Sequence, residues 1–98
     1  MFAVGTASGS VAHYLGVLAT TTGDFDEAAA RFAAAAVHER IGAPTWLART
    51  RLEWARMLLT RRRSGDGEQA REILGQALDA ARDLGLRTVE RRAVELMG

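Results

Sequence analysis

The chain has 98 residues, enough for one small domain with a modest core. Its hydrophobic fraction of 48% and charged fraction of 26% are those of a globular chain, with alanine and arginine heavily used and lysine absent. A net charge of +1 gives no electrostatic case for a nucleic-acid or acidic-membrane partner, and the absence of cysteine removes disulfides, thiolate catalysis and zinc–thiolate sites.

Residues 1–9, with Gly5 and Gly9 and no charge, read as a flexible start. The first 23 residues carry no Asp, Glu, Lys or Arg, yet they lack the basic segment of a signal peptide. Gly5, Thr6, Ser8, Gly9, Ser10, His13 and Thr20-Thr21-Thr22 also dilute them below the roughly 20 predominantly apolar residues of a membrane span. Ser8 or Ser10 is placed to cap a first helix, because a hydroxyl accepts a free first-turn N–H. Val11, Ala12, Leu15, Leu18 and Ala19 recur at helical spacing up to Thr21, and Gly23 ends the element. Asp24 caps a second helix, with Glu27 three residues on in the capping-box position. That helix continues through the alanine-rich stretch to Arg40, and Gly42 is placed to turn left-handed after it.

Pro44, the only proline, opens a third helix, where its missing N–H costs nothing. Leu47, Ala48, Leu52, Ala55, Leu58 and Leu59 form its apolar stripe, widened by Trp46, Trp54 and Met57. Ser64-Gly65-Asp66-Gly67 is a turn by residue chemistry. A fourth helix runs from Glu68 to Leu84 and stops at Gly85; a fifth spans 87–97. No stretch alternates with period two, so the fold class is all-α.

The helices pair, and the pairs resemble each other. Gly23-Asp24-Phe25-Asp26-Glu27-Ala28 returns as Gly65-Asp66-Gly67-Glu68-Gln69-Ala70, an offset of 42; Arg40-Ile41-Gly42-Ala43 returns as Asp83-Leu84-Gly85-Leu86, an offset of 43. The first pair resembles a tetratricopeptide repeat: Leu15-Gly16 match its Leu-Gly pair, Gly23, Asp24 and Phe25 its turn, and Ala28, Phe32 and Ala35 its small–large–small pattern. The second pair is similar at Trp54, Ala70, Leu74 and Ala77, but Leu58 and Gly67 replace the family's glycine and aromatic. The run from Ala48 to Leu59, the Gly-Asp turn and Ala80-Ala81-Arg82-Asp83-Leu84-Gly85-Leu86 are also similar to the repeat region of large actinobacterial regulators, of the ATP-dependent LuxR type or with cyclase-like domains. With those proteins' ATPase motifs and helix-turn-helix absent, the resemblance implies a sensor or interaction segment.

Few residues invite catalysis. His13 and His38 stand 25 residues apart without a metal-ligand pattern, and His13 reads as a partly exposed helix residue near the inner surface. Asp26 and Glu27 suit a helix N-terminus. Arg61-Arg62-Arg63 reads as a solvated helix end rather than a phosphate grip, with Asp66 and Glu68 close by. Trp46 and Trp54, eight residues apart, read as core and inter-helix packing.

The expected architecture is a short tetratricopeptide-like α-solenoid of five helices: pairs 10–42 and 44–85, then a final helix 87–97. The family's concave surface maps onto His13, Val17, Thr20, Leu52, Ala55 and Leu59, the candidate binding face. Its apolar second half expects a cover: the final helix, a second copy, or a partner's amphipathic helix. An unshielded apolar end before the first pair implies a symmetric homodimer. The expected function is protein–protein interaction in a cytoplasmic transcriptional or signalling regulator. It involves no enzyme activity, cofactor, metal, membrane or direct nucleic-acid contact. The alternative is a small-molecule effector in the concave groove.

Overall fold

Alanine-rich segments joined by connections of one to four residues form five helices among the described residues: α1 (Val4–Thr22), α2 (Phe25–Gly42), α3 (Pro44–Arg61), α4 (Asp66–Leu84) and α5 (Arg87–Met97). The computed structural model describes the backbone over 4–42 and 44–98, and side chains over 12–37 and 44–98. The side chains of Val11, His38, Arg40 and Ile41, and all of Ala43, lie outside the described residues. Among the described residues there is no strand, so the all-α class holds.

Boundaries differ where local chemistry was ambiguous. Helix α1 starts at Val4 and takes in residues 4–9, expected as a flexible start, so Ser8 and Ser10 lie within it rather than at its N-terminus. Gly42 is the last residue of α2 rather than a left-handed residue after it. Helix α4 begins at Asp66, inside the expected turn, while α3 and α5 start where Pro44 and Arg87 were expected to open them.

Two glycines show why the chain turns where it does. Gly23 adopts φ 86°, which lets the Asp24 N–H reach back to the Ala19 carbonyl at 2.8 Å. Gly85, at φ 71°, does the same for α4: the Leu86 N–H reaches the Ala81 carbonyl at 2.8 Å. Asp24 then caps α2, its Oδ1 accepting the Glu27 N–H at 3.3 Å. The return leg of a capping box is absent, because the Glu27 carboxylate accepts from Arg31 instead.

Helix α1 packs on α2 and α3 on α4; α2 lies against α3, and α5 closes on α4. Short connections make sequential helices antiparallel neighbours. The first helix of each pair meets the next, α1 touching α3 and α3 touching α5. The molecule is a slab of 43 × 32 × 18 Å. Its core runs from Ala28 and Phe32 through Leu52, Ala55, Met57 and Leu58 to Leu74, Ala81 and Ala93. Phe32 is fully buried and sits on Gly16, where a Cβ would lie 2.6 Å from the ring. The absence of a side chain at 16 is what lets the ring approach α1 this closely.

Candidate functional site

Helices α1, α3 and α5 enclose a groove of about 430 Å³. Helix α1 contributes His13 and Tyr14; α3 contributes Trp46, Arg49, Leu52 and Glu53. Leu86, the first three residues of α5 and Arg92 form the other wall. The positions on α3 are three and four residues apart, so one helix face presents them all.

His13 differs from its sequence reading. It is 7% exposed rather than partly exposed, and its Nδ1 shares a 2.8 Å hydrogen bond with Oγ1 of Thr50, itself fully buried. Burial of the imidazole lowers its pKa below 6.5; the field of Glu53 opposes this and that of Arg49 adds to it. Around it the rings of Tyr14, Phe32 and Trp46 pack edge-on, with centroids 5.8, 6.2 and 5.2 Å from the imidazole. Trp46 also meets Tyr14 at 6.2 Å and carries the Arg49 guanidinium over its ring at 5.6 Å. His13 is thus a fixed element of the groove floor.

Of the six residues expected on the binding face, His13 and Leu52 line this groove. Val17 is half buried against the core. Thr20 turns its hydroxyl to the Gly16 carbonyl at 2.8 Å. Ala55 is fully buried and out of reach of a ligand. Leu59 lines separate shallow depressions, one with Arg62 and Arg63 and one with Arg71 and Met97. Leu52 and Ala55 are buried within the chain, and Leu52 shares grooves with Val89, Arg92 and Leu96 of α5. Tyr14, Trp46, Arg49, Arg87 and Arg92 were not anticipated. Trp46 is half buried and faces the groove rather than the core, whereas Trp54 packs against the core as expected.

The arginine run at the end of α3 is structural in part. Asp66 is 3% exposed and accepts two hydrogen bonds from Arg61, both 2.8 Å, and the Arg63 N–H at 2.9 Å. The Arg61 guanidinium holds the Asp66 carboxyl at a pKa of about 2. Asp26, at the start of α2, binds Arg63 at 2.6 Å and lies 3.5 Å from Arg61. The Arg63 hydrogen bond lowers its pKa too. Two of the three guanidiniums are therefore neutralised, and Arg62 is left at the surface with φ 58°.

Among the described residues no three His, Asp or Glu side chains are grouped to hold a metal ion, and no helix is long and apolar enough to cross a membrane. The chain matches no protein-family model, no curated protein and no solved structure.

Proposed function

We propose that this chain is a protein–protein interaction module, a short tetratricopeptide-like α-solenoid of the kind found in bacterial transcriptional and signalling regulators. The observation that carries the proposal is the outer face of α1. Leu15 is 36% exposed and Leu18 60%, on a helix without Asp, Glu, Lys or Arg, and Tyr14, 61% exposed, stands where this face meets the groove. Exposed apolar side chains grouped on one uncharged helix are the mark of a surface that another surface covers. In a stacked repeat that cover is a neighbouring helical unit, and the occupant proposed is a second copy of the chain, related by a twofold axis.

Sedimentation velocity from about 10 to about 500 µM tests this, because self-association follows mass action. The wild-type chain is expected to shift from monomer to dimer across that range. Leu18→Glu places a charge on the face without touching the core and is expected to stay monomeric. A wild-type chain that is monomeric at the highest concentration rules the homodimer out.

A second reading is favoured by a separate observation. The groove between α1, α3 and α5, at about 430 Å³, falls within the roughly 300–1,000 Å³ of small-ligand sites. Its aromatic and cationic lining suits a small-molecule effector, and a shift of Trp46 fluorescence on ligand addition is the readout.

A further inference from the structure

We infer that the groove between α1, α3 and α5 binds a small organic anion: one carboxylate, sulfonate or phosphate group on an aromatic or aliphatic body. The inference rests on the small-molecule reading of that groove and names its ligand class. Arg49 enters from α3, Arg87 and Arg92 from α5, and none of them forms an ion pair with another described residue. The contrast lies at the α3–α4 turn, where Asp26 and Asp66 neutralise Arg61 and Arg63. Glu53 is the one carboxylate among the described residues lining the groove, and it already engages Arg56 at 3.5 Å. The groove therefore holds an excess of positive charge that an anion would satisfy through charge-assisted hydrogen bonds.

The same walls select the body of the ligand. Tyr14 and Trp46 meet at 63° with Leu52 and Leu86 beside them, a corner for a flat or branched apolar group. Arg49 lies over Trp46, so charge recognition and apolar contact occur side by side. A polyanion such as nucleic acid fits poorly, because the net charge of +1 supplies no extended basic surface outside the groove.

The test uses two dyes with one skeleton. 1-Anilinonaphthalene-8-sulfonate carries an anion, and N-phenyl-1-naphthylamine is the same body without it. In a Trp54→Phe background, Trp46 is the remaining tryptophan and its quenching reports a dye bound near it, with loss of that quenching in the arginine double variant assigning the dye to the groove. The anionic dye is expected to saturate at one per chain and to bind at least about tenfold more tightly than the neutral dye. Arg49→Gln with Arg92→Gln is expected to remove that difference; both side chains are exposed, so the far-UV melt should be unchanged. Equal binding of the two dyes, or an unchanged anion affinity in the folded double variant, overturns the anion class alone. Absence of quenching by either dye overturns the small-molecule reading with it. The comparison of dyes on the intact groove needs no arginine variant.

Discussion

Gly16 and Gly75 place the same residue type in two opposite situations. Both lie inside helices, where alanine is intrinsically better by about 1 kcal/mol. A methyl at 16 meets the fully buried Phe32 ring at 2.6 Å, whereas one at 75 meets nothing within 4 Å. Overpacking costs about 1–3 kcal/mol, more than the propensity gain. Urea denaturation should therefore show Gly16→Ala destabilising by about 1 kcal/mol and Gly75→Ala stabilising by about 0.5–1 kcal/mol. The His13–Thr50 pair makes a second prediction. Thr50→Val keeps the shape but orphans a buried ring nitrogen, at a cost of about 1–3 kcal/mol, and Thr50→Ser should restore most of it. Burial sets the pKa of folded His13 below its unfolded value of 6.5. Its contribution to stability is thus constant above pH 6.5 and declines as pH falls below it, when the unfolded chain takes up the proton first. The urea midpoint should drop on acidification below pH 6.5, and drop less in His13→Gln. Neither residue's role was legible in the sequence, because the two lie 37 positions apart and His13 reads alone as a polar residue on a helix.

At the scale of elements, the two Gly-Asp turns share a sequence and not a mechanism. Both glycines are left-handed, at φ 86° and 84°. After the first, Asp24 caps the next helix; after the second, Asp66 turns back to the end of α3 and holds Arg61 and the Arg63 N–H. Repetition identified the turns and the helix pairs, but not this change of role. It depends on Arg61 lying within reach of Asp66, whereas the equivalent position before Asp24 is Ala19, which has no polar group to offer. Asp66→Asn should lower the melting temperature at pH 7, and Asp24→Asn should change it little, since asparagine caps as well as aspartate. Asp66 has a folded pKa of about 2 against an ordinary 3.8, so its stabilising effect is complete above pH 3.8 and is lost as pH falls towards 2. Circular dichroism from pH 5 down to about 2 should show wild type losing the advantage it holds over Asp66→Asn at neutral pH. The helix starts misjudged in the sequence have a simple cause. Ser8 and Ser10 have capping chemistry, but nothing local prevents α1 from continuing past them to Val4.

For the whole molecule, the apolar stripes made five helices and their pairing legible, while the groove remained hidden. Its walls come from α1, α3 and α5, and only their tertiary placement brings Tyr14, Arg49 and Arg92 together. Among the described residues α3 and α4 bury more side chains than α5, which buries Val89 and Ala93. Native-state hydrogen exchange should accordingly be slowest in the middles of α3 and α4 and faster in α5. Uniform protection across the five helices would contradict that gradient. One contact ties the two pairs together in a further way. Helices α2 and α3 are linked through the chain between Gly42 and Pro44, and at the far end of the same seam Asp26 holds Arg61 and Arg63. The seam is a clasp with one permanent fastening and one that dissolves in salt or acid. Releasing the second leaves the two pairs joined by the buried contacts of Phe32, Leu52 and Ala55, so the exposed ion pairs trim the seam rather than hold it.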